Sequence, residues 1–140
     1  AGMVLNNAGT SLVHALAYPI GGEYHANHGI SLSVLLISCF KAIAAAKGDR
    51  MVQLAEAMGE NVEGLPIRKG VEVALDAMAA FMKSVDLPIS LEEIGIKDRS
   101  AVERWAEAGW NERRLLGRCA RDLTVEDIAA IYRDAFDARM

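Results

Sequence analysis

Three histidines, His14, His25 and His28, fall in the window Leu12 to Leu36, LVHALAYPIGGEYHANHGISLSVLL, and no other histidine occurs in the chain. Neutral imidazole is the commonest protein ligand for metals and suits Zn, Fe and Cu. His14 lies near the end of one helix-compatible stretch and His28 at the start of the next. The Pro19-Ile20-Gly21-Gly22 run between them is a break that lets the chain reverse and turns both imidazoles toward one cleft. Two histidines are only part of a catalytic metal site, which generally takes three protein ligands and keeps an open position. No carboxylate in the window has ligand spacing to complete the set; Glu23, in the expected loop, is the nearest. Taken singly, His14 also reads as a structural hydrogen-bonding residue, His28 as a polar helix start and His25 as a plain loop residue. Tyr18 sits one helical turn after His14 and shares its face. It is either a buried Tyr with a satisfied hydroxyl or a polar group reaching the site.

The elements that must position these residues are helical. A first helix spans roughly 1 to 17, with Val4, Leu5, Leu12, Val13 and Leu16 on one face, and Pro19 ends it. Asn27 caps a second helix from His28 to about Lys47, which Gly48-Asp49 stops. A short helix near Arg50 to Met58 turns Val52, Leu54, Ala55 and Met58 inward, and Gly59 to Gly64 form a loop. Pro66 opens a long helix to about Val85, with Val71, Ala74, Leu75, Met78, Phe81, Met82 and Val85 at helical spacing. Leu87-Pro88-Ile89 is an extended connector, and Ser90 with Glu93 resembles a capping box. Asp98 or Ser100 starts a further helix to Gly109 or on to Leu116. Thr124 with Asp127 caps the last, whose inward side carries Ile128, Ile131, Tyr132, Ala135 and Phe136. No strand, internal repeat or low-complexity tract is visible. The fold class is all-α, a multi-helix bundle of six or so helices, in a single domain spanning 1–140.

At 140 residues the chain is long enough for a real core. Its apolar content of 52% with only 6% aromatic residues suits close-packed helices of Ala, Leu, Ile, Val and Met. A net charge of −4 with scattered cations excludes a phosphate-backbone footprint, so no nucleic-acid partner is expected. No basic amphipathic stretch points to a membrane surface. The apolar run from Ile30 to Ala46 is interrupted by Ser31, Ser33, Ser38 and Lys41 and reads as a helix buried on most sides, not as a membrane span. Cys39 and Cys119 lack CxxC spacing, which suits free thiols in a reducing, cytoplasmic setting. No secretory leader is expected, since no basic region precedes an apolar one. The opening Ala1-Gly2-Met3-Val4-Leu5 reads as a cut inside a helix, and Asp134 to Met140 as a natural end.

The order His14-x-x-x-Tyr18-Pro19-Ile20-Gly21-Gly22, then Tyr24, then His28-Gly29, resembles the metal-binding segment of the iron-containing (group III) alcohol dehydrogenases. That family's pattern is His-x-x-x-His/Tyr-Pro-Leu-Gly-Gly, a short loop, then Pro-His-Gly. Leu87 to Ile96, LPISLEEIGI, resembles the family's Leu-Pro-x-x-Leu-x-x-Leu-Gly connector, and Leu123 to Tyr132 its closing helix. The likeness covers essentially the whole chain. It implies the C-terminal helical domain of such an enzyme, dehydroquinate synthase-like in fold, with a nucleotide-binding α/β domain preceding it and absent from these residues.

The resemblance further implies a divalent metal, Fe2+ or Zn2+, held by an Asp and three His. His14 and His28 match the last two of those ligands. The Asp and the first His lie on a helix before Ala1. NAD or NADP is the implied cofactor of the complete enzyme, which interconverts alcohols and aldehydes or ketones by hydride transfer. Tyr18 stands where many members carry a catalytic-site histidine that does not bind metal, which puts a proton-relay role there in doubt. Tyr18 and His25 are the residues expected to border the substrate and the cofactor. Asn27 replaces the usual Pro, and Cys119-Ala120-Arg121 replaces Asn-Pro-Arg. The expected partner is a small-molecule alcohol or aldehyde, and apolar faces left exposed favour self-association into a homo-oligomer. The 140 residues alone are expected to be inactive. Two other readings compete: a freestanding helical interaction module with structural histidines, and a glycerol dehydrogenase-like or maleylacetate reductase-like member of the same superfamily.

Overall fold

Helix ends in this chain are set by short polar signals, and the computed structural model shows them for the described residues, 1–137. Asn27 accepts a hydrogen bond from the Gly29 N–H at 3.0 Å and so starts its helix at His28. Thr124 and Asp127 form a reciprocal box: the Asp127 carboxylate accepts from the Thr124 N–H at 2.8 Å, and the Thr124 hydroxyl accepts from the Asp127 N–H at 3.1 Å. Asp98 accepts from the Ser100 N–H at 2.9 Å. Ser90 accepts from the Glu93 N–H at 3.3 Å, while Glu93 reaches back to the Ile89 N–H at 3.0 Å.

Between these signals run eight α-helices among the described residues. They are α1 Gly2–Ala8, α2 Leu12–Tyr24, α3 His28–Ile43, α4 Gly48–Ala57, α5 Ile67–Ser84, α6 Val102–Asn111, α7 Arg113–Leu116 and α8 Val125–Asp137. Three 3-10 turns, Ala44–Ala46, Glu92–Ile94 and Arg99–Ala101, join them. The expectation of an all-α bundle holds, and no strand occurs among the described residues.

Two apolar clusters share α3 as a common wall. On one side Val34, Leu35 and Cys39 pack with Leu16 and Ile20 of α2, Trp105 of α6, and Ile128, Tyr132 and Phe136 of α8. On the other, Ile37 packs with Met51 and Ala55 of α4 and Ala74, Met78 and Met82 of α5. The inward side of α8 is the one expected from its spacing, since Ile128, Ile131, Tyr132, Ala135 and Phe136 are all buried. Trp105 stacks on Phe136 with ring centres 6.1 Å apart, and each such buried aromatic contributes about 1.5–3 kcal/mol. Ser38 donates to Asp134 at 2.6 Å, and Arg121 donates to the Ala42 carbonyl at 3.1 Å; these tie α8 and the connection before it to α3.

Several expectations are corrected. The first helix is two, because Gly9 at φ 71° breaks it into α1 and α2. Pro19 lies inside α2, which continues through Gly21 and Gly22 to Tyr24. An interior proline deprives the carbonyl one turn back of its N–H and costs about 3 kcal/mol. Burial of Leu12, Ala15, Leu16, Ala17 and Ile20 offsets that cost. The chain reverses at His25 instead, in the left-handed region at φ 51°. Gly48 opens α4 and stops nothing. On α5, Phe81 and Val85 point outward, 60% and 51% exposed, and so do Val4 and Leu5 of α1.

Helix α3 with its following turn, His28–Ala46, is long and apolar enough to cross a membrane by length and composition. It is not buried on most sides as expected: Leu32, Leu36 and Phe40 face an open apolar groove of about 770 Å³ shared with Leu54, Met58 and Met78. The remainder of the expected terminal segment, residues 138–140, lies outside the described residues.

Gly109 of α6 is where two helices touch. A Cβ there would sit 2.6 Å from Leu16 Cδ2, and Leu16 is fully buried and cannot retreat. Gly109→Ala is therefore expected to destabilise the fold by about 1–3 kcal/mol, read as a lowered denaturation midpoint with unchanged slope.

Candidate functional site

Helix α2 presents His14 and Tyr18 one turn apart, and α3 presents His28 as its first residue. His14 is half-buried; His28 is exposed but fixed by the Asn27 cap beneath it. The reversal between the helices brings the two imidazoles together, with ring centres 5.4 Å apart and planes at 60°. Two imidazoles at a tetrahedral angle around one ion, each with a metal–nitrogen bond of about 2.1 Å, have centres roughly 5 Å apart. The pair therefore fits a shared ion. Burial, and then the neighbouring His28, push the His14 pKa below its ordinary value, which keeps the ring neutral and its lone pair available.

The pair stands alone in its local chemistry. No group of three or more His, Cys, Asp or Glu arranged to hold a metal occurs among the described residues. Glu23 is not in a flexible loop. It sits in the last turn of α2, where both its oxygens accept from Arg104 Nη2 at 2.7 Å and one accepts from the Trp105 indole N–H at 2.9 Å. Those two donors, Trp105 first, hold its carboxyl below the ordinary range. The Trp105 ring is buried and meets Tyr24 edge-on at 5.9 Å. This clamp, with the Tyr132 hydroxyl donating to the Leu16 carbonyl at 2.7 Å, fixes α2 against α6 and α8.

The structure brings His14 and His28 together and leaves His25 apart. His25 is exposed at the reversal and makes no hydrogen bond or ring contact with another described residue. Tyr18 is 45% exposed and its hydroxyl bonds none of them, so it is not the buried, satisfied tyrosine of the first alternative. The Glu23–Arg104–Trp105 clamp escaped the sequence reading, because its partners lie more than 80 positions apart and no local pattern joins them.

Comparison with known proteins follows this geometry. The family model described as "Fe-containing alcohol dehydrogenase family, C-terminal" matches residues 1–136. The chain is 30% identical to the lactaldehyde reductase of Escherichia coli (strain K12) over 136 residues, covering 97% of this chain and 35% of that protein. It is 34% identical to the NAD-dependent methanol dehydrogenase of Bacillus methanolicus over 137 residues, covering 96% of this chain and 35% of that one. A solved 1,3-propanediol oxidoreductase superposes with a TM-score of 0.89 at 32% identity, over 96% of this chain and 35% of that structure. The chain thus spans about a third of the length of the relatives it matches.

The clamp has a pH signature. The Glu23 pKa is lower in the folded protein than its ordinary 4.5, so its stabilisation is complete above that value and drains away as pH falls through the folded pKa. Glu23→Gln should flatten the acid limb of stability below about pH 4.5, and Glu23→Ala should cost about 1–3 kcal/mol at neutral pH by leaving the buried indole N–H unpaired. Denaturant melts across that range check both; an unchanged acid limb in Glu23→Gln would contradict the clamp.

Proposed function

The chain belongs to the Fe-containing alcohol dehydrogenase family, and we propose that it supplies half of the metal site of an NAD(P)-dependent alcohol dehydrogenase acting on small alcohols and their aldehydes or ketones. The observation that carries this reading is the His14–His28 pair at 5.4 Å, on two helices whose junction is capped and clamped. By this reading His14 and His28 are the metal ligands of residues 1–140. The remaining ligands and the nucleotide-binding domain belong to the longer protein, and the chain alone has no dehydrogenase activity. The setting is cytoplasmic, with Cys39 and Cys119 as free thiols, and the enzyme is a homo-oligomer.

A divalent ion there, iron or zinc, supplies Lewis acidity to an alcohol or carbonyl oxygen, and NAD or NADP supplies the hydride chemistry. The residues of this chain bind and orient. Burial, and then the neighbouring His28, lower the His14 pKa, which favours the deprotonated ring that an ion requires. His28 is aimed by the Asn27 cap, whose bond to the Gly29 N–H fixes the first turn of α3. Tyr18, one turn from His14 with an unpartnered hydroxyl, offers a hydrogen-bond donor to a substrate oxygen. By this reading Tyr18 Oη orients the substrate through that hydrogen bond. His25, exposed at the reversal, borders the cofactor.

In the full-length protein, His14→Ala and His28→Ala are each expected to abolish tight metal binding, while Tyr18→Phe keeps the metal and loses turnover. Metal analysis of the purified variants, beside steady-state rates, checks this; full metal content in His14→Ala would sink the assignment. Residues 1–140 expressed alone should show no NADH-dependent rate, and a measurable one would refute the division of labour.

A further inference from the structure

Arg114 and Arg118 differ from every other described arginine. The others are held by carboxylates, by Gln53, or, for Arg113, by the Trp110 ring at 3.2 Å. Arg114 and Arg118 make no ion pair, hydrogen bond or ring contact with a described residue. Both line the same pocket of about 430 Å³, formed where α7 and the turn after it meet α1 and the link from α1 to α2. Asn6 and Thr10 line it too, with side chains that have no hydrogen-bond partner among the described residues. No carboxylate does. Ser11, next in the chain, has the one buried side-chain oxygen among the described residues that lacks a partner.

Arg118 is seated, not merely exposed. Gly9 is held at φ 71°, and a Cβ on it would collide with the Arg118 guanidinium. The guanidinium lies against bare backbone that only glycine supplies. Two cations, an amide and a hydroxyl around one acid-free hollow are the donor set for a planar or tetrahedral oxyanion, which guanidinium binds through paired N–H bonds. Thr10 lies four positions before His14, on the link that leads into α2.

We propose that Arg114 and Arg118, with Asn6 and Thr10, form an oxyanion subsite that takes a carboxylate or phosphate group of a small-molecule ligand of the catalytic cleft. Its place beside that cleft rests on the dehydrogenase reading; the recognition of the oxyanion does not. The group belongs either to the far end of an alcohol or aldehyde substrate or to the nicotinamide cofactor.

Titration calorimetry of the full-length protein with inorganic phosphate, at fixed ionic strength, tests the subsite without requiring activity. Phosphate should bind the wild type, and Arg114→Gln/Arg118→Gln should weaken it about tenfold or more, the loss of at least one charge-assisted bond. Absent binding in the wild type, or equal affinity in the variant, overturns the subsite. A second arm compares KM for a carboxylate-bearing aldehyde, an uncharged aldehyde of the same length and the nicotinamide cofactor. A rise confined to the charged aldehyde assigns the oxyanion to substrate, and a rise confined to the cofactor assigns it there. A fall in phosphate affinity with every KM unchanged overturns the placement in the cleft. Metal content of the wild type, measured on the same samples, fails separately if the dehydrogenase reading is at fault.

Discussion

Helix α2 carries a proline in its interior and still runs unbroken from Leu12 to Tyr24, and everything chemical in this chain depends on that. A helix with Pro19 in it is weak by itself. It persists because α3 and α6 pack along it and Tyr132 of α8 bonds it at Leu16. Gly109 lets α6 approach Leu16 closely, and the Tyr132 hydroxyl reaches the Leu16 carbonyl. At the far end Glu23 is gripped by Arg104 and Trp105. Tyr18 lies between these two grips, and His14 lies just before the first. A slack α2 would let His14 drift relative to His28, and two imidazoles set at 5.4 Å would become two unrelated side chains.

Helix α3 has a complementary part. It begins at His28 and then separates two apolar clusters, so its starting residue is aimed by a helix packed on two sides. Its serines do not weaken this. The Ser31 hydroxyl donates to the Asn27 carbonyl at 3.2 Å, the Ser33 hydroxyl to the Ile30 carbonyl at 2.9 Å, and the Ser38 hydroxyl to Asp134. Polar groups inside an apolar helix are tolerated when each finds a partner. That is why a helix apolar enough to span a membrane by composition sits here in a bundle, tied to α8 by an aspartate.

What could be read from sequence was whatever is local. The Asn27 and Thr124–Asp127 caps act over two or three residues, and the buried side of α8 follows a single period, so both were legible. The pairing of His14 with His28 was legible because both fall in one short window around a break. The reversal itself was misplaced from Gly21-Gly22 to His25, since local propensity cannot weigh what α6 and α8 contribute to keeping Pro19 helical. Phe81 and Val85 follow the helical period yet point outward, because period identifies a face and not whether anything covers it. The Glu23 clamp and the Arg114–Arg118 pocket were invisible, being meetings of residues far apart in the chain.

On the proposed reading, the charge around the histidines makes the pair only part of a site. Two neutral imidazoles bring lone pairs but no negative charge, and a divalent ion left with them alone stays poorly compensated. The one carboxylate nearby in sequence, Glu23, is withheld: both its oxygens are committed to Arg104 and one of them also to Trp105. Its commitment serves geometry, holding the end of α2 so that the reversal and the Asn27 cap can place His28. The local sequence thus uses its acid to build the scaffold. On the proposed reading the ion's charge is then balanced from elsewhere, and metal occupancy becomes a readout of assembly as much as of these two histidines.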